Sequence, residues 1–167
     1  MCIRDRYEDV SFSVKKGEIV GIIGLLGAGR TELASSIFGM NPPDSGRILL
    51  HGKEVKFKSN RDAIASRIAY VPEDRLLQGL VLNQSVENNT IISIIQKLKN
   101  KIGSRDKKEC TSITQNWIDE LQIKSAKPEI NASAMSGGNQ QKIVISKWLS
   151  TEPVSYTHLE PDWDEKK

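Results

Sequence analysis

Residues 24–31, Gly-Leu-Leu-Gly-Ala-Gly-Arg-Thr, carry the first chemistry in this chain, because they place three glycines between an apolar run and a helix start. Backbone N–H groups converge on phosphate oxygens only where bulky side chains stay away, and Gly24, Gly27 and Gly29 leave that room. The spacing matches Gly-x-x-x-x-Gly-Lys-Ser/Thr except that Arg30 stands where the pattern has lysine. Arginine keeps the charge but exchanges a compact ammonium for a wider planar fork, so phosphate binding is expected to survive better than fast phosphoryl transfer. Ala28 lies inside the loop, Thr31 offers a hydroxyl to magnesium, and Glu32 opens the helix. A second stretch, Met135-Ser136-Gly137-Gly138-Asn139-Gln140, puts a capping serine and two small residues before another helix, which again describes an anion-binding end. A third, Glu73-Asp74-Arg75, follows Pro72 at the exit of an apolar run, where a carboxylate can organise a metal or a water, the alternative from the residues alone being a solvated loop with a local ion pair.

These residues need an α/β scaffold. Residues 18–23, Glu-Ile-Val-Gly-Ile-Ile, read as a buried parallel strand, preceded by a half-buried strand at 10–14 and a turn at Lys15-Lys16-Gly17. Residues 31–38 form a helix that Gly39 stops. Residues 47–55 read as two strands broken at Gly52, with His51 a surface turn residue, and Asn60 caps a short helix over 61–67 with Ala63 and Ile64 inward. Residues 68–71 return as a strand. From there the pattern is helical: Ser85 caps a helix running through Leu98 into a basic end near Lys101, Cys110, Ile113, Trp117, Ile118 and Leu121 share one helical face, and a last helix begins near Gln140 with Trp148 in the core.

Composition narrows the function classes. The chain has 167 residues, 38% hydrophobic and 27% charged, which suits one soluble domain with a real core. A formal net charge of +3 without interleaved aromatics points away from nucleic acid. Two cysteines far apart suggest neither zinc nor a disulfide framework. No apolar run reaches the roughly 20 residues that span a bilayer.

Residues 10–153 resemble the nucleotide-binding subunit of an ABC transporter, and more narrowly the second of two cassettes fused in bacterial ATP-binding proteins for import of ribose, galactose and xylose. Residues 24–31 are similar to its Walker A loop with Arg30 for lysine. Glu73 stands at or beside its Q-loop glutamine, and residues 135–140 are similar to its Leu-Ser-Gly-Gly-Gln signature, with Met135 for leucine and Asn139 for glutamine. The resemblance implies a P-loop NTPase of the ABC type, with an incomplete nucleotide-binding domain over 7–153 and a mainly helical subdomain over about 85–150. It implies ATP and Mg2+ as ligands, held by Gly24, Gly27, Ala28, Gly29, Arg30, Thr31, Glu32 and Glu73. It further implies that Ser136 and Gly138 serve a nucleotide held mainly by the other cassette and that Thr31 is the metal ligand. The implied partners are that cassette, fused or in trans, a membrane permease, and through it an external sugar-binding protein. The implied place is the cytoplasmic face of the membrane, peripherally attached. A regulatory or assembly module that uses nucleotide to control partner contacts is the alternative.

After Pro153 the family register calls for a hydrophobic strand ending in Asp-Glu. Here Leu159 takes the Asp position, Glu160 the Glu position, and residues 154–158 do not read as a buried strand, so no catalytic residue is assigned. Residues 1–6 and 154–159 resemble translated sequencing adapter, which makes residues 1–6 and 154–167 expected non-native ends of a piece of a longer gene, itself an ATP hydrolase.

Overall fold

The computed structural model describes residues 7–25, 27–99, 103–124 and 126–158. They divide into two compact units, residues 7–63 and residues 64–158.

In the first unit, α1 (Arg30–Ile37) starts at Gly29 and stops where expected. The stop is a Schellman closure: Gly39, at φ +74°, donates to the Ser36 carbonyl at 3.0 Å and Met40 to the Ser35 carbonyl at 2.9 Å. A methyl on Gly39 would lie 2.7 Å from the Ser59 carbonyl oxygen and 2.8 Å from Phe57 Cβ. Gly39→Ala is therefore expected to lower stability by roughly 2 kcal/mol or more, combining left-handed strain with a backbone clash, read as a lower urea midpoint. The hairpin of β1 (Ile48–Leu50) and β2 (Lys53–Val55) pairs antiparallel around His51 and Gly52, both at positive φ, as the turn residues predict. In α2 (Asn60–Ala65), Ala63 is fully buried, but the N-terminus is closed by Asp62, whose carboxylate accepts from Lys58 N and Ser59 N at 2.8 and 3.1 Å.

The two strands expected over 10–14 and 18–23 are not formed. Neither segment carries ladder bonds, and Ile19 and Ile23 are 97% and 98% exposed. A buried parallel strand needs hydrogen-bonded neighbours, and the sheets among the described residues are two separate strand pairs, neither of which includes this segment. The turn at Lys15 to Glu18 is present, with Glu18 N on the Lys15 carbonyl at 3.0 Å.

In the second unit, β3 (Ile68–Val71) is buried at all four residues and pairs in parallel with β4 (Ser155–His158). A strand thus follows Pro153 through backbone pairing with β3 despite its polar sequence, and Val154 and Ser155 at its start are exposed. Ser85 caps α3 (Val86–Ile91) by accepting from Asn88 N at 3.1 Å. This helix ends at Ile91, short of the expected basic end, because a run rich in β-branched isoleucine gives way to turns that carry Ile94 and Leu98 into a cluster with Ile91 and Cys110. Burial raises the Cys110 thiol pKa above its ordinary range, and nearby Glu87 adds to the effect. The long helix α4 (Lys107–Glu120) buries Cys110, Thr114 and Ile118.

The last helix, α5 (Gly137–Leu149), begins three residues before the expected Gln140. Glycines are tolerated there because first-turn amides lack intrahelical partners anyway. Ile143 and Val144 are fully buried, and Trp148 is 9% exposed, as a core residue. Asn89, 2% exposed, satisfies its amide by accepting from Val81 N at 2.8 Å and donating to the Val81 carbonyl at 3.0 Å.

Candidate functional site

The site residues fall in both units, and each group is built locally. In the first unit the loop at 24–31 is folded by its glycines. Gly27 and Gly29 sit at φ +79° and +84°, a region closed to most side chains, and Ala28 N donates to the Leu25 carbonyl at 3.0 Å to close the turn. A Cβ on Gly24 would stand 3.0 Å from Ala28 Cβ, so any side chain there would press into the loop. Gly29 is the N-cap of α1 and has no side chain to accept from the first-turn amides. Arg30, Thr31 and Glu32 occupy that first turn, half-buried, with the acidic Glu32 within it. The result is a left-handed glycine turn delivering a helix N-terminus, and it fits a phosphate on geometric grounds: the glycines place no side chain over the turn, and a helix N-terminus favours an anion.

In the second unit Glu73 and Asp74 diverge in use. Asp74 caps a single π-helical turn at Arg75–Gly79, accepting from Leu76 N and Leu77 N at 2.9 Å each. Glu73, half-buried, precedes that cap. Ser136 is the N-cap of α5 by its backbone, yet its hydroxyl accepts no capping bond. Gly138 is exposed with nothing within 4 Å of where its Cβ would be. Met135 is buried beneath them, and Asn139 donates to the Lys124 carbonyl at 2.9 Å. The exposed serine and glycine are thereby presented outward from an anchored helix end. Arg75 joins this group: its Nη2 lies 2.9 Å from the Cβ position of Gly137, and its buried Nε has no hydrogen-bond partner. Glu160 lies outside the described residues.

Residues 7–157 match the family model described as ABC transporter. The chain belongs to the ABC transporter family. Its solved ABC neighbours include cbiO1 from Clostridium perfringens, part of the transporter complex cbiONQ, at TM-score 0.66 and 22% identity over 86% of this chain and 54% of that one. Another is the ATP-binding cassette MJ0796, solved as a dimer bound to ADP and Pi, at TM-score 0.67 and 20% identity over 85% and 60% of the two chains. These likenesses establish the ABC ATPase fold. Among ABC relatives, the ribose import ATP-binding protein of Caldanaerobacter subterraneus subsp. tengcongensis is 44% identical over 153 residues, covering 92% of this chain and 31% of that protein. The galactose/methyl galactoside import ATP-binding protein of Treponema pallidum is 43% identical over 145 residues, covering 87% and 29%. The chain thus spans about a third of the length of these relatives.

Two residues of the second unit escape a reading of spacing alone. Arg75 has only its place after Glu73 and Asp74 to mark it. Lys147 is 7% exposed although charged, and its one sequence signal is that it lies four and three residues after Ile143 and Val144, on the buried face.

Proposed function

We propose that this chain is part of the ATP-binding subunit of an ABC importer that couples ATP binding and hydrolysis to uptake of a simple sugar, and that it derives from the second of two tandem cassettes. The observation that carries the proposal is the left-handed glycine turn at Gly27 and Gly29 opening α1, in a chain whose relatives import ribose and galactose. Arg30 in place of lysine supports the second-cassette assignment. The native domain on this reading spans residues 7–153, with residues of about 85–150 forming the helical subdomain that meets the permease.

Loop amides from Gly24 to Thr31, Ala28 included, hold the β- and γ-phosphates, and the Arg30 fork adds charge-assisted bonds to them. Magnesium would supply charge neutralisation for the phosphates; Thr31 would offer its hydroxyl to that ion, Glu32 borders the site, and Glu73 would orient the ion or its water. Ser136 and Gly138 close over a nucleotide whose main cradle belongs to the other cassette, so nucleotide joins two half-sites. That closure favours one arrangement of the permease over another. An external sugar-binding protein delivers the sugar. Attachment is peripheral, on the cytoplasmic face. Contact with the membrane runs through the permease; among the described residues no helix is long and apolar enough to cross a membrane.

Calorimetric titration of the chain with Mg-ATP is expected to give a saturable heat for one site. Absence of heat with both ATP and ADP overturns the nucleotide assignment. For import, the full-length gene product with its permease in vesicles is expected to show ATP-dependent uptake of labelled ribose, galactose or xylose. Uptake of none of them removes the sugar assignment.

A further inference from the structure

Lys147 is buried on α5 with its Nζ donating to the Gly79 carbonyl at 2.6 Å. The acceptor is the last residue of the π-helical turn, a position whose carbonyl the turn itself does not satisfy, and a buried carbonyl without a donor is costly. The lysine stem runs along the core while its head reaches across to that one oxygen. Around this bond the two elements fit without spare room. A methyl on Gly79 would meet Val144 Cγ2 at 2.9 Å, and one on Gly137 would meet Arg75 Nη2 at 2.9 Å. The turn therefore lies along α5 from its first residue to Lys147.

We propose that Lys147 is a positioning residue that clasps the Arg75–Gly79 turn to α5, so that Glu73, two residues before the turn, and Ser136, at the head of the helix, are placed as one unit. The meaning of that coupling rests on the assignment of Glu73 and Ser136 to nucleotide sites; the clasp itself rests on geometry.

Among the described residues no carboxylate forms an ion pair with Lys147. Among the described residues the elements packed most closely on α5 are α3, β3, the π-helical turn and the short 3-10 turn Ala132–Ala134. Their ionisable residues are Glu87, which accepts from the Thr111 hydroxyl at 2.7 Å, Tyr70 and Arg75; α5 itself adds Lys142, whose Nζ is on the Gln122 carbonyl at 3.0 Å. None of them moves the Lys147 pKa, which burial lowers from 10.5 to about 8. The sign follows from which state binds the proton more tightly. Opening the turn hydrates the ammonium and restores its affinity for the proton, so protonation favours opening. Below pH 8 the burial cost is fully present, and between about 8 and 10.5 the clasp tightens as the closed form sheds its proton.

The test uses the full chain without nucleotide, so its outcome does not depend on whether the nucleotide assignment survives. Lys147 Nζ lies 4.9 Å from the centre of the Trp148 ring. With Trp117 and Trp163 replaced by phenylalanine, Trp148 emission is expected to titrate with a midpoint near 8. The titration disappears in Lys147→Arg, which stays charged, and in Lys147→Met. Hydrogen exchange, corrected for intrinsic rates, is expected to show about tenfold greater protection of residues 75–82 at pH 9.5 than at pH 7. Lys147→Arg keeps the pH 7 protection without the pH dependence, whereas Lys147→Met loses about tenfold at pH 9.5, where the native lysine is neutral and still donates, while α4 is unchanged. If Lys147→Met does not fold by circular dichroism, the flat profile of Lys147→Arg decides alone. Unchanged protection in folded Lys147→Met, or an unchanged titration in Lys147→Arg, overturns the proposal.

Discussion

Gly29→Asp abolishes the calorimetric heat of Mg-ATP binding while leaving the chain folded. Gly29 is the buried N-cap of α1 at φ +84°, and it places no side chain over the helix end. Aspartate is among the residues that tolerate the left-handed region and favour helix N-termini, so the helix survives the change. Its carboxylate, however, occupies the seat that the helix dipole offers to phosphate. Two like charges 4 Å apart repel by about 4 kcal/mol at an effective dielectric of 20, which is roughly a thousandfold in affinity. Gly29→Ala separates the two contributions, because it adds strain but no charge and is expected to weaken binding far less. Equal loss in both variants places the effect on backbone conformation, and unchanged affinity in Gly29→Asp removes the loop from the nucleotide site.

Phosphate release from ATP by the 167-residue chain stays at background, and Glu160→Gln leaves it there. In-line attack on the γ-phosphate requires a carboxylate to orient the water and another to hold magnesium through its hydration shell. In the register after Pro153 the second of these positions holds Leu159, and the strand leading to it, β4, is the polar sequence Ser-Tyr-Thr-His. A version in which residues 154–160 are replaced by a hydrophobic strand ending in Asp-Glu and continued into a histidine loop is expected to release phosphate at least about 10²-fold faster when paired with a competent first cassette. The direct measurement is steady-state phosphate release of both versions at matched protein concentration. Steady turnover by the unaltered chain that Glu160→Gln stops makes Glu160 catalytic and its surroundings native.

What the sequence by itself determined is what is encoded within a few residues. Glycines at 27, 29 and 39 specify left-handed backbone, so the loop, the start of α1 and its closure are legible without a fold. His51 and Gly52 specify the hairpin turn, Ser85 and Ser136 mark helix starts, and the spacing of Cys110, Ile113 and Ile118 announces the buried face of α4. Family membership was legible for the same reason, since its motifs are short and local.

The tertiary structure decided everything that depends on a partner distant in sequence. Residues 18–23 have strand composition, but strand formation needs a neighbour, and the described residues pair β3 with β4 instead. Spacing could not tell Asp74, which caps the π-helical turn, from Glu73 beside it. Nor could it show that Arg75 reaches Gly137, or that Lys147 spans 68 residues of sequence to the Gly79 carbonyl. Burial of a charge is a property of the packed helix face, not of the residue, because the same lysine half a turn round, on the exposed side, would remain hydrated.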